Sequence, residues 1–171
     1  MKNFSKDYTL EIKSISKLGV FTGYASVYNI IDNHDDVILP FAFSDSLMRE
    51  NNIKLLWQHR ADEPIGIITH IEEDEMGLFV EGKLLLEVER AREAYALLKS
   101  GVLRGLSIGF RVTDFEINES NIRLIKSADL FEISLVTFPA NESAKITSVK
   151  SNEEELELLA LLNKAIRVLR G

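Results

Sequence analysis

At 171 residues the chain is long enough for one hydrophobic core, and 46% apolar with 27% charged residues is the composition of an ordinary globular domain. A net charge of −7 argues against a phosphate-binding surface, so no nucleic-acid partner is expected, and the absence of cysteine excludes disulfides, thiol nucleophiles and Cys-based zinc sites. The opening MKNFSKDYTLEIKSI has no apolar core of the kind a signal peptide needs, and no apolar run is long enough to span a bilayer, so a cytoplasmic chain without a membrane partner is expected.

Strands dominate the first half. Phe21 to Tyr28 alternates, and Ile53 to His59 places Ile53, Leu55, Trp57 and His59 on one face of a strand. Between them, Asp32-Asn33-His34-Asp35-Asp36 is rich in oxygen ligands but lacks the glycine and distal glutamate of a calcium loop, so it reads as a polar turn. Ile65 to Ile71 follows, then a turn at Asp74-Glu75-Met76-Gly77, then Leu78 to Leu86, a sequence of meandering antiparallel strands. Glu89 to Ser100 switches to helical spacing, with Ala91, Ala94, Tyr95 and Leu98 on one face and Gly101 as the stop.

Alternation resumes at Leu106 to Val112, where Leu106, Ile108, Phe110 and Val112 point one way and Ser107, Gly109 and Arg111 the other. It returns at Phe131 to Phe138, with Phe131, Ile133 and Leu135 opposite Glu132 and Ser134, and ends at Pro139. The last stretch, 151–171, begins with a Ser151/Glu154 capping box, ends in basic residues and carries a stripe of Leu156, Leu159, Leu162, Ile166 and Leu169. It is expected to be an amphipathic helix appended to a 1–150 domain, packing on its own barrel, on a second copy, or on a scaffold.

Gly105-Leu106-Ser107-Ile108-Gly109 spells G-x-S-x-G, the nucleophile elbow of α/β-hydrolases. An elbow runs strand, serine, helix; here a helix precedes and Ser107 lies within a strand. All three histidines, His34, His59 and His70, also precede the serine, whereas that fold places its histidine last. The hydrolase reading fails, but a serine nucleophile does not fail with it, because a triad is defined by roles rather than chain order. Gly105 and Gly109 leave the serine side of the strand open enough for a substrate backbone. A serine in a glycine-flanked strand is nonetheless most often only a strand serine, Trp57 with His59 is by default a core aromatic beside an edge histidine, and a lone Glu132 is by default solvated.

Several blocks in order change that balance. They are Gly23 to Tyr28 (GYASVY), Asp35 to Phe43 (DDVILPFAF), Leu55 to His59 (LLWQH) with Pro64-Ile65-Gly66, Gly101 to Phe110 (GVLRGLSIGF), and Leu130 to Asn141 (LFEISLVTFPAN). Together they resemble the prohead (capsid-maturation) serine proteases of tailed bacteriophages, a family related in fold to the herpesvirus assembly protease, assemblin. The resemblance covers about residues 20 to 148. One departure is Phe41, which stands where the family usually has glycine.

The resemblance implies a mainly β fold with helices, an assemblin-like small antiparallel β-barrel. It makes Ser107 and His59 the catalytic pair and Glu132 the best match for the third member, with His70 a poorer one. The oxyanion donors it points to are the backbone N–H groups of Ala140 or Asn141, with Gly109 N–H a rival. Arg104 and Arg111, which flank the serine, are candidates for touching substrate. Implied too are an endopeptidase cleaving scaffolding protein or scaffolding domain, the major capsid protein and itself, inside the immature procapsid in the host bacterial cytoplasm, with neither cofactor nor metal. A homo-oligomer formed through the C-terminal helix is a further expectation. The rival readings are a non-catalytic structural or scaffold module of the same fold, and an esterase for small acyl substrates.

Overall fold

The computed structural model describes residues 18–49 and 52–149; the helix expected over 151–171 lies outside them. The described elements are, in chain order, β1 (Val20–Val27), β2 (Asp36–Ile38), α1 (Ser44–Met48), β3 (Lys54–Trp57), β4 (Arg60–Glu73), β5 (Gly77–Leu84), α2 (Glu89–Lys99), β6 (Gly105–Ile117), β7 (Arg123–Val136) and β8 (Ile146–Val149). All eight strands belong to one curled sheet, ordered β2-β7-β3-β4-β5-β1-β8 with β6 on β7.

Alternation explains most of the pairing. β3, β4 and β5 join antiparallel in sequence, as short polar turns dictate, and β5 then pairs antiparallel with β1 across a long connection. At the turn before β5, the Asp74 carboxylate accepts the N–H groups of Met76 and Gly77 at 2.7 and 2.9 Å. Two joins depart from the antiparallel expectation: β2 and β3 both pair with β7 in parallel. No hairpin links them to β7, since long connections intervene, so local turn geometry does not impose a direction.

β7 is long enough to take both along one edge. Asp36–Ile38 pairs with its first residues and Lys54–Trp57 with its last. Between them, Ala128 N–H donates to the Ala42 carbonyl and Leu130 N–H to the Ser46 hydroxyl, both at 2.9 Å. Its other edge carries β6 throughout. The sheet curls until the stretch before β8 meets β6, through a bridge between Gly105 and Lys145 and bonds from Leu106 N–H to Ala144 O and Ile146 N–H to Arg104 O. Beyond Leu106, the outer edge of β6 pairs with no other strand among the described residues.

The inner face of the curl is the core. Phe21, Leu55, Ile65, Leu106, Ile133 and Leu135 are fully buried there, each contributing about 1.5–3 kcal/mol of apolar burial. α2 lies against it through Ala91, Ala94 and Leu98, three of the four residues expected on its apolar face. Gly101, at φ +73°, ends that helix by donating to the Leu98 carbonyl at 3.0 Å. Phe41 occupies the same left-handed backbone region, at φ +64°, with its ring half in water. Glycine is the residue that conformation favours, so phenylalanine carries a backbone cost at this position.

Candidate active site

The structure places His59 differently from the strand alternation. β3 ends at Trp57, which pairs with Arg60, so Gln58 and His59 form a two-residue hairpin loop with φ of +51° and +60°. Such loops favour Asn-Gly, and a Gln-His pair adopts this backbone only when surrounding contacts hold it. Those contacts come from β7 and the residue after it. Gln58 N–H donates to the Leu135 carbonyl at 3.0 Å, and His59 N–H to the Ser134 hydroxyl at 3.1 Å. The Gln58 side-chain amide donates to Thr137 Oγ1 at 2.9 Å and accepts from Thr137 N–H at 3.2 Å.

The ring of His59 is held from the same strand. Its Nδ1 lies 2.6 Å from Glu132 Oε1, and the other oxygen of that carboxylate accepts from the Ser134 hydroxyl at 2.7 Å. The hydrogen-bonded carboxylate raises the His59 pKa above the ordinary imidazole value of 6.5, against the opposing pull of partial burial. Glu132 is largely enclosed while His59 is half exposed, so the carboxylate is anchored and the ring's other nitrogen is left for a reacting group.

Ser107 sits on β6 directly across from Ser134, and Gly109 across from Glu132. The two glycines flanking the serine leave room for protein rather than for substrate. A Cβ at Gly109 would stand 2.8 Å from Glu132 Cγ, and one at Gly105 would stand 3.0 Å from Pro139 Cδ. Gly109 thus vacates the space that Glu132 fills. Ser107 is 8% exposed, and no hydrogen bond joins it to His59 in this structure. Both side chains belong to the wall of one cavity of about 910 Å³.

That cavity also collects Ala140 and Asn141. Their N–H groups donate to no other group among the described residues, while the rest of the loop is tied down. The Ala140 carbonyl accepts from Asn33 N–H at 3.1 Å, and the Asn141 side-chain amide donates to the Val27 carbonyl at 2.8 Å. Fixed loop, free donors: this is the arrangement an oxyanion needs. The 32–36 turn, with His34, adds to the wall beside this loop. Asp32 there accepts N–H bonds from His34 and Asp36, and Asp36 grips Arg123 with both oxygens. The expected polar turn is what forms.

The residues of a caudovirus prohead serine protease family model match this chain over 7–158. The chain belongs to that family. The prohead protease of Enterobacteria phage HK97 is 38% identical to it over 157 residues, covering 88% of this chain and 69% of that protein. The prohead protease of Escherichia phage T5 is 35% identical, covering 84% and 70%. A capsid polyprotein of Pseudomonas phage PAJU2 is 39% identical over 95% of this chain, which spans 25% of that longer protein. Among solved structures, varicella-zoster virus protease superposes with a TM-score of 0.51 at 16% identity, covering 85% of this chain and 76% of that one. The capsid assembly protease of bacteriophage T4 gives 0.53 at 8%, covering 68% and 81%. The chain is therefore a serine peptidase of capsid maturation with an assemblin-like fold.

Not every candidate joins this site. His70 lies on β4, 3.3 Å from Glu72, and is not part of the cavity wall. Arg111 is engaged with Asp129 at 2.7 Å and lies over the Phe131 ring, and neither it nor Arg104 lines the cavity. Two positioning residues were not singled out from sequence, Ser134 and Gln58. The signal for Ser134 was present, since it shares a strand face with Glu132; nothing in the pattern marks Gln58. Among the described residues, no cluster of three or more His, Asp or Glu side chains is suited to a metal ion.

Proposed function

We propose that this protease is an endopeptidase in which Ser107 is the nucleophile, His59 the general base and acid, and Glu132 the group that orients the imidazole. The observation that carries this is the His59–Glu132 bond at 2.6 Å, on a ring that shares its cavity with Ser107. With Nδ1–H donated to the carboxylate, Nε2 is free to take the Ser107 proton as Oγ attacks a peptide carbonyl. The developing oxyanion is met by the N–H groups of Ala140 and Asn141. His59 then gives its proton to the leaving amine, forming an acyl-enzyme. A water deprotonated by His59 attacks the ester, releases the acid and restores the Ser107 hydroxyl. The unpaired edge of β6 beside Ser107 suits an extended peptide, which would add as a further strand.

The proposed substrates are the scaffolding protein or domain, the major capsid protein and the protease itself, within the immature shell in the host cytoplasm. The capsid polyprotein among the relatives supports this setting. Confinement there would keep the local substrate concentration high, so weak binding suffices. A self-association through 151–171 is part of the proposal. Co-expression with the coat and scaffold genes, with cleavage read by mass, tests it. Wild type should process both, and Ser107→Ala and His59→Ala neither, with a rate loss of about 10⁴-fold or more. A fluorophosphonate should label Ser107 in wild type and fail in His59→Ala. Processing by Ser107→Ala would overturn the assignment; hydrolysis of a p-nitrophenyl ester in preference to the coat protein would favour a small-substrate esterase.

A further inference from the structure

Phe138 is 90% exposed and lies in the cavity wall beside the candidate oxyanion loop. A wholly solvated aromatic ring is unremarkable on a mobile tail, but this one stands on fixed backbone. Thr137 before it is clasped by the Gln58 side chain, next to His59, its hydroxyl accepting one hydrogen bond and its N–H donating another. Pro139 after it has a locked φ and packs towards Gly105, and Ala140 and Asn141 are tethered to the 32–36 turn and to β1. The fold thus fixes the backbone that carries a large apolar side chain into water, on the wall of the cavity that Ser107 and His59 share. A ring on fixed backbone has only its two side-chain torsions to lose on contact, which makes it an efficient anchor.

We propose that Phe138 is a specificity-determining residue: its ring forms the wall of a subsite that takes an apolar side chain of the peptide, close to the bond being cut. The cavity offers apolar company for such a side chain in Ile30 and Ile108. This rests on the proposed role of Ser107, and the experiment separates the two.

A protease-free peptide library made from a bacterial proteome is digested with wild type, Phe138→Ser and Phe138→Leu, and cut sites are mapped by mass. In parallel, each protein is titrated with a fluorophosphonate. Wild type should show enrichment of aliphatic or aromatic residues at one position near the cut. Phe138→Ser should lose that enrichment and fall about 10- to 100-fold in kcat/KM on a peptide carrying it, mainly through KM. Phe138→Leu should keep most of both, and labelling of Ser107 should stay within about twofold across all three. Phe138→Ser with wild-type cut sites and rate would overturn the subsite while leaving the nucleophile standing. Loss of labelling in Phe138→Ser would mean that the ring supports the site's structure instead. Wild type that neither labels nor cuts would sink the Ser107 assignment, and the subsite with it.

Discussion

Gly109→Ala adds one methyl group on the strand that bears the candidate nucleophile, yet its effect should fall on the histidine. The added Cβ would stand 2.8 Å from Glu132 Cγ and 2.9 Å from Cδ, with Oε1 closer still. Carbon atoms in contact rest about 3.5 Å or more apart, so the carboxyl group must withdraw by roughly 0.7 Å. A withdrawal of that size stretches the 2.6 Å bond to His59 beyond about 3.2 Å, the outer range of a good N–H···O bond. Losing the orienting carboxylate costs other triads up to about 10⁴-fold, and a misplacement near 1 Å about 10²-fold, so kcat should fall by roughly 10²- to 10⁴-fold. Stability should change by no more than about 1 kcal/mol, because the displaced group is the end of a side chain and alanine loses less backbone entropy than glycine. Peptide cleavage and urea unfolding of the same preparations check both halves. A variant with wild-type kcat and pH profile would refute the inference that Gly109 exists to seat Glu132 against His59.

Two further substitutions probe the same assembly, and a third probes the fold. Glu132→Gln should lower kcat by about 10³- to 10⁴-fold and let the His59 pKa fall back towards 6.5, moving the acid limb of the pH–rate profile to lower pH. In wild type the His59–Glu132 bond stabilises the fold fully below about pH 6.5 and less as pH rises through the raised His59 value, so Glu132→Gln should flatten that stretch of the stability-against-pH curve. Ser134→Ala removes the hydroxyl that accepts His59 N–H and donates to Glu132; it should cost about 1–3 kcal/mol in denaturant unfolding and about 10-fold or more in rate. Phe41→Gly relieves a left-handed phenylalanine and should stabilise by roughly 0.5–1 kcal/mol, read as a higher Tm with unchanged cleavage, a fall in Tm showing that the half-buried ring matters more.

The strands were legible wherever alternation ran long, and so were the 89–99 helix and its Gly101 stop, because period and punctuation are local properties. The partnership of His59 with Glu132 was reached through resemblance, and no local pattern carries it. Alternation misplaced His59 by treating it as the end of a strand. The left-handed Gln58-His59 pair is imposed by bonds to Leu135, Ser134 and Thr137, which sequence period does not register. Phe131 likewise breaks its expected inward place and is half exposed, because the β6–β7 register slips between Gly109 and Phe110 and leaves it at a bulge. β2 and α1, at three and five residues, are too short to show a period at all. The role of the two glycines around Ser107 was misread for a related reason: a missing Cβ is visible in sequence, while what occupies the vacancy is not.

Among the described residues β7 is the last long strand in the chain, and the candidate hydroxyl, imidazole and carboxylate are all placed by it. Glu132 is its own residue, Ser107 is registered against it from β6, and the loop bearing His59 is pinned to it from beyond β3. A nascent or locally opened chain lacking this one ribbon therefore has no half-built active site to misfire. Any fluctuation that frees this single segment should therefore separate all three groups together.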